Sequence, residues 1–331
     1  MARAQLATVD IGPFIHGDAS ARLSVARAFG SALESTGFAV LVGHDVPQAH
    51  VQETYDAVRA FFALPLDVKM QSAAPEKVKR RGYLPVGIES VAATLEDETP
   101  PDLCEALVFS APHRAAGPQA KANIWPPKPD RLSKCVLRYC AAMSALNGQL
   151  SRLAALALEM PEDYFEPWYR DPALTLRFVN YPDQKDPPQP GQLRYGAHHD
   201  YGGLTILRQD SAPGGLQIYA DGAWADVEII ANSFVINVGD LMARWTNDRW
   251  RSTLHRVVNP DRGLTGSTQR LSMVAFTGPN ETMEVACLPS CCSADRPPRY
   301  DPVVAGSYIQ AKLAQSMELT HQTVGYHQPV S

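Results

Sequence analysis

Three side chains in the second half of the chain have the types and spacing to grip one divalent metal ion. Residues 195–206 read YGAHHDYGGLTI, with His198, His199 and Asp200 opening an alternating segment. Along a β-strand, residues i and i+2 point to one face. His198 and Asp200 can therefore converge on one ion while His199 points away. His255, in the strand-like segment STLHRVVN, supplies a third candidate ligand. It follows Asp200 by 55 residues, enough chain for hairpins to bring the two segments together. Two imidazoles and one carboxylate suit a borderline-hard divalent metal, and on one face of an octahedron they leave three positions open. Such positions can take dioxygen and a bidentate co-substrate. A structural zinc site would be closed by four protein ligands, usually with thiolates among them. His-x-Asp is short enough to arise by chance, so its weight depends on what accompanies it.

Downstream, Gln269-Arg270-Leu271-Ser272 opens the segment RLSMVAF, with Arg270 standing 15 residues after His255. Arg270 and Ser272 share a strand face. A guanidinium fork meets a carboxylate bidentately and a serine hydroxyl adds a donor, so the pair reads as a carboxylate receptor. Tyr181, in RFVNYP, offers a phenol that can bond the same ligand. A metal with open positions and a receptor for a distant carboxylate together fit a dicarboxylate that is a 2-oxo acid at one end, which describes 2-oxoglutarate.

The elements that must position these groups are readable from periodicity. Residues 20–36 carry Leu23, Ala26, Phe29 and Leu33 at helical spacing, and Gly37 is placed to stop that helix. FAVLV (38–42) reads as a buried strand. A second helix holds Val51, Tyr55, Val58, Phe61 and Phe62, and a third, over 130–160, presents a long apolar stripe. Residues 73–102 read as a long loop region of the kind that walls pockets. After residue 172 the period changes to two. LTLRFVNY, LTILRQ, GLQIY, AWADVE, FVINV, LHRVVN, RLSMVAF and MEVACL are short alternating segments broken by turn signals, including Gly239-Asp240, which reads as a hairpin turn. That pattern predicts an antiparallel sandwich or barrel, and a last helix over 303–319 closes the chain.

Composition sets the remaining bounds. The chain has 331 residues, 45% hydrophobic and 20% charged, with a formal net charge of −5. This is globular composition with no nucleic-acid footprint. The one basic cluster, Lys77, Lys79, Arg80 and Arg81, reads as a solvated loop. No stretch reaches the roughly 20 apolar residues of a membrane span, and the first residues lack an apolar signal core. The spacings of the six cysteines make no paired metal site. A cytoplasmic protein with free thiols, a small-molecule substrate and no obligate protein partner is the expectation.

With these residues in view, the chain resembles the 2-oxoglutarate- and iron(II)-dependent oxygenases of the isopenicillin N synthase-like group. AHHDYGGLTILRQD, GGLQIYADGAWADV, FVINVGDLMARWTNDRWRSTLHRVVN and QRLSMVAFTGPN follow one another in the family's order. TVDIGPF, STGFAVLVGHDVP, FFALPLDVKMQ, RRGYLPVGIES and PPDLCEALVFS resemble its N-terminal region, so the likeness spans roughly 7–319. It implies a mainly β fold with flanking helices: a double-stranded β-helix (jelly-roll) core over 166–290, an α+β N-terminal region over 1–165 that packs on it, and a C-terminal helix and tail over 291–331. It implies iron(II) on His198, Asp200 and His255, and 2-oxoglutarate held by Arg270 and Ser272 with help from Tyr181. The family couples dioxygen and 2-oxoglutarate, released as succinate and CO2, to hydroxylation, desaturation or cyclisation. Tyr83, Arg177 and Phe276 are the candidate substrate residues. Two departures stand out. His199 replaces a common Thr, and Val179-Asn180-Tyr181-Pro182 replaces an Asn-x-Tyr-Pro, so no role passes to Asn180. Two other functions fit the same residues, an iron oxidase that does not use 2-oxoglutarate and a binding protein that has lost catalysis.

Overall fold

The alternating segments pair into two facing sheets. The computed structural model describes residues 3–73, 81–95, 99–111, 123–169, 172–184 and 186–323, apart from the side chains of 93–94 and 315–323. The larger sheet has eight strands in the order Thr8–Asp10, Phe38–Val42, Phe234–Val238, Leu204–Arg208, Arg270–Gly278, Ala173–Tyr181, Glu105–Ser110 and Gly82–Leu84. The smaller has five, ordered Arg3–Ala4, Ala223–Val227, Leu216–Ala220, His255–Val257 and Tyr195–His198. From Tyr195 onward the chain crosses repeatedly between the two sheets, and its strands pair antiparallel. This shuttling winds a jelly roll. Asp221 and Gly222, both at positive φ, form the two-residue turn between Leu216–Ala220 and Ala223–Val227.

The larger sheet is covered on its outer face by three helices, Ala19–Ser35, Gln48–Phe62 and Leu132–Ala157. Leu176, Phe178, Ile206, Ile236, Leu271, Met273 and Ala275 point outward into one buried cluster with Phe29, Phe61, Tyr139, Met143 and Leu150. The alternate residues of the same strands face the smaller sheet. Phe38, Leu207, Leu216, Ile218 and Val235 make that inner face apolar at one end. At the other end it is polar, and the site lies there.

Several expectations are refined. The N-terminal region adds strands to the larger sheet as well as packing helices against it. The long loop region contains the strand Gly82–Leu84 and a short 3-10 turn at Val91–Leu95. Lys77, Lys79 and Arg80 lie outside the described residues. Gly239-Asp240 is no hairpin turn: Asp240 starts the helix Asp240–Trp245, with Gly239 at its N-cap. The shared turn chemistry of Gly and Asp hides this distinction, because both also suit helix N-termini. MEVACL yields only the two-residue strand Glu284–Val285. All six cysteines are free thiols.

Gly37 ends the first long helix as expected, at φ +71°. A Cβ there would lie 2.1 Å from the Arg251 carbonyl oxygen and 2.7 Å from Thr253 Oγ1, on the segment that leads into His255. Gly37→Ala is expected to cost about 2 kcal/mol or more, through both the left-handed backbone and the overlap. A urea midpoint equal to that of the parent protein would refute this.

Candidate active site

His255 lies directly opposite His198 in the antiparallel pair of the smaller sheet. The next register pair is Val257 with Tyr195, so the Tyr195–His198 strand carries one extra residue, a β-bulge. The bulge puts Tyr195 on the same side as His198, with ring centroids 4.8 Å apart. The strand ends at His198 and Asp200 lies just beyond it. Asp200 is therefore aimed by its loop and not by strand alternation. Its carbonyl oxygen accepts from the Asp240 N–H at 2.7 Å, which ties the loop to the start of the Asp240–Trp245 helix.

The three groups converge. Asp200 Oδ1 is 3.6 Å from His198 Nε2 and 3.7 Å from His255 Nε2. The three ligand atoms lie within 4.8 Å of one another, and all three residues are buried. These separations are too long for hydrogen bonds and match a span that one ion, with bonds of about 2.1 Å, can bridge. The remaining polar atoms are committed elsewhere. His198 Nδ1 donates to the Gly196 carbonyl at 2.9 Å and His255 Nδ1 to the Thr253 carbonyl at 3.0 Å. Asp200 Oδ2 accepts from Thr205 Oγ1 and Asn237 Nδ2, each at 2.6 Å. Each ligand thus keeps one lone-pair-bearing atom directed at the common centre. Burial, and then the neighbouring His255, hold the His198 imidazole well below its usual pKa. Burial pushes the Asp200 carboxyl up, but the two imidazoles and the Thr205 and Asn237 donors outweigh it and leave it lowered. Neutral imidazole and ionised carboxylate are the forms that bind a metal. Among the described residues no fourth His, Cys, Asp or Glu joins this cluster.

On the larger sheet Arg270 pairs with Tyr181, and Ser272 with Val179, so Arg270, Ser272 and Tyr181 share the inner face. Tyr181 and Ser272 are hydrogen-bonded, and burial pushes the tyrosine pKa up. Arg270 is 1% exposed. Its Nη1 donates to the carbonyls of Asp210, Ala212 and Gly214, and its Nη2 to Gln209 Oε1. Its Nε has no partner. A buried cation held by neutral oxygens, with its Nε edge free, fits a ligand carboxylate. The residues present therefore suit both a divalent metal and a dicarboxylate.

The three substrate candidates separate. Arg177 and Phe276 lie on the inner face, half-buried. The Arg177 guanidinium pairs with both oxygens of Glu89 and lies 5.6 Å from the Tyr195 ring centroid. Tyr83 lies on the opposite face of the sheet, 1% exposed, and its hydroxyl donates to Glu105 at 2.5 Å. Lys69 and Asn180 also bond Glu105, so Asn180 faces away from the site. His199 meets Ser252 Oγ at 3.3 Å, and both line a cleft of about 770 Å³. Ser252 donates to Asp240, which pairs with Lys312 of the terminal helix Ala305–Thr323 at 2.9 Å.

Sequence reasoning missed Thr205, Asn237, Tyr195 and Asp102. Thr205 and Asn237 left a trace, being the polar residues at inward positions of LTILR and FVINV. Tyr195 left none, because only the bulge turns it inward. Asp102 is 3% exposed, and its carboxylate accepts from the Gly196 N–H at 2.8 Å and the Val91 N–H at 3.0 Å. Burial pushes its pKa up to about 7. It holds the N–H of Gly196, the residue whose carbonyl oxygen orients His198.

A jelly roll with two imidazoles and a carboxylate on one side, and a buried guanidinium facing them, defines a scaffold for non-haem metal-dependent oxidation. Residues 170–279 match the 2OG-Fe(II) oxygenase superfamily, and residues 6–128 match the N-terminal region described as non-haem dioxygenase in morphine synthesis. The 2-oxoglutarate-Fe(II) type oxidoreductase hxnY of Emericella nidulans is 31% identical, covering 93% of this chain and 89% of its own. The 2-oxoglutarate-dependent dioxygenase tropC of Talaromyces stipitatus is 30% identical, covering 84% and 87%. A full-length Neurospora crassa protein, solved in complex with alpha-KG and thymine, superposes with a TM-score of 0.82 at 28% identity, over 93% of this chain and 96% of that one. The chain belongs to the 2-oxoglutarate- and iron(II)-dependent oxygenases, enzymes that use iron(II), 2-oxoglutarate and dioxygen.

The two donors on Asp200 give a direct test. Asn237→Ala or Thr205→Val is expected to weaken iron(II) binding by roughly 10–100-fold, because each frees Asp200 Oδ2 to rotate. Anaerobic metal titration measures this, and affinities equal to the parent's would rule out the role.

Proposed function

We propose that His198, Asp200 and His255 hold iron(II), that Arg270, Ser272 and Tyr181 bind the distal carboxylate of 2-oxoglutarate, and that a small organic molecule is oxidised between Arg177, Tyr195 and Phe276. The convergence of three buried, internally braced ligand atoms carries the reading. Iron(II) with 2-oxoglutarate supplies dioxygen activation, with release of succinate and CO2. The chain's own residues orient and exclude. Arg270 and Ser272 fix one end of the co-substrate on the larger sheet while the metal ligands, on the smaller sheet and the loop after it, fix the other. The inner-face strands keep bulk water from the deep end, where Val179, Tyr181 and Ser272 are each under 5% exposed. Farther along the inner face Phe276 and Tyr195 offer ring faces, while the charge of Arg177 is matched by Glu89. Those rings favour a compact substrate with a planar group. An acidic pI near 6.0 disfavours a nucleic-acid partner, and no described helix is long and apolar enough to cross a membrane. Free thiols support a cytoplasmic enzyme, and relatives named as a proline hydroxylase and a homoarginine-6-hydroxylase support a small-molecule substrate.

His255→Ala and Asp200→Ala are expected to abolish 2-oxoglutarate turnover, read as succinate released. Retained turnover with unchanged iron stoichiometry in both would overturn the ligand assignment. Arg270→Ala is expected to raise the KM for 2-oxoglutarate roughly 30-fold or more, since it removes a buried charge-assisted partner. Product formed without any succinate would remove 2-oxoglutarate from the reaction. Phe276→Ala should raise the substrate KM while leaving the 2-oxoglutarate Kd unchanged; a shift confined to the co-substrate would move Phe276 out of the substrate wall.

A further inference from the structure

A second arginine lies beside the co-substrate pocket. Arg194 is 0% exposed, deeper than most of the apolar core. Its Nη1 donates to the Pro213 carbonyl and its Nη2 to the Thr268 carbonyl, both at 2.6 Å, and its Nε has no partner. The guanidinium lies 5.9 Å from the ring centroid of Tyr181. The turn that it holds is the one that holds Arg270. Arg270 takes the carbonyls of Asp210, Ala212 and Gly214, and Arg194 takes the carbonyl of Pro213 between them. The two guanidinium groups approach the turn closely. At Gly214, with φ +73°, a Cβ would come 2.9 Å from Arg194 Nη1, and at Gly215 one would come 4.0 Å from Arg270 Nη1. Gly214 thus admits the Arg194 guanidinium, and the two arginines together take four neighbouring carbonyls.

The charges do not balance locally. Among the described residues neither arginine is hydrogen-bonded to a carboxylate. The carboxylate of Asp210 is occupied by the Tyr55 hydroxyl and the backbone N–H groups of Leu271 and Ala212. That of Asp183 is held outside by Ser267 and Thr268. Two buried cations around one partly neutralised carboxylate leave an excess of positive charge, which in a poorly solvated pocket favours an anion beside it. Burial, and then the charge of Arg270, lower the Arg194 pKa to about 10. A monocarboxylate leaves part of the excess uncompensated, whereas the dianion 2-oxoglutarate, bringing a distal carboxylate to this end, offsets it.

We infer that Arg194 is a positioning residue for 2-oxoglutarate. It clamps the 209–215 turn so that Arg270 keeps its Nε edge open, and it adds a second buried charge that favours a ligand with a distal carboxylate. The inference rests on the co-substrate reading above and concerns a residue outside that receptor.

The test is calorimetric titration of the anaerobic, Mn(II)-loaded protein with 2-oxoglutarate and with 2-oxobutyrate, which keeps the 2-oxo acid and lacks the distal carboxylate. Arg194→Gln is expected to raise the 2-oxoglutarate Kd about tenfold or more. Arg194→Lys, which keeps the charge and loses the fork, should raise it less. The 2-oxobutyrate Kd should stay within about twofold of the parent's in both. A general loosening of the fold would weaken both acids by the same factor, and that result overturns the inference. So does a 2-oxoglutarate Kd unchanged in Arg194→Gln. If Arg194→Gln does not fold, Arg194→Lys decides alone: selective weakening for the dicarboxylate supports the role and equal or absent weakening refutes it. Parent protein that binds 2-oxobutyrate but gains nothing from the distal carboxylate would instead overturn the co-substrate reading, and Arg194's role with it.

Discussion

The register that sets His255 against His198 is the constraint on which the rest of the site depends. A slip of one residue in either strand would turn one imidazole out of the sandwich. That register is held from several sides. His255–Val257 also pairs with Leu216–Ala220 on its other edge. Phe38 from the larger sheet lies edge-on to the His255 ring at 5.6 Å. Thr253, whose carbonyl orients His255, donates its hydroxyl to the Thr36 carbonyl at the end of the first long helix. The N-terminal region therefore takes part in placing His255, more than two hundred residues later in the chain.

The inner face of the sandwich shows how one fold accommodates both a core and a site. One end is closed by aliphatic and aromatic side chains in the usual way. At the other end Arg270, Arg194, Asp200, Asp102 and two histidines are buried, a group whose desolvation would be costly if left unpartnered. The structure spreads that cost through backbone carbonyls and N–H groups, which occupy most of the polar atoms these side chains bring. Stability and function compete here in a specific way: Arg270 Nε, left without a partner, is an atom that a co-substrate would complete.

Much of this was readable from residue order. Alternation in LTILRQ, FVINV and RLSMVAF marked the strands, and the i, i+2 relation singled out His198 over His199 and joined Arg270 to Ser272. Other features depend on geometry that alternation cannot carry. Asp200 sits beyond the strand end, so its agreement with the two-residue rule owes to a loop bonded to the Asp240–Trp245 helix. Tyr195 turns inward only because of an extra residue. Tyr83 falls on the outer face because its strand pairs with Glu105–Ser110 at the far edge of the larger sheet, a partnership fixed by tertiary contacts. Arg194 and Asp102 read as ordinary charged residues until their neighbours are known, since burial of a lone charge has no local sequence signature.

The site draws its two halves from opposite walls. The imidazoles belong to the smaller sheet, and Arg270, Ser272 and Tyr181 to the larger. A molecule that touches both ends acts as a rivet across the gap, and its binding free energy adds to the adhesion of the two walls. Occupancy and mechanical cohesion would then be one property: a ligand held at both ends would tighten the sandwich, and its departure would withdraw the rivet.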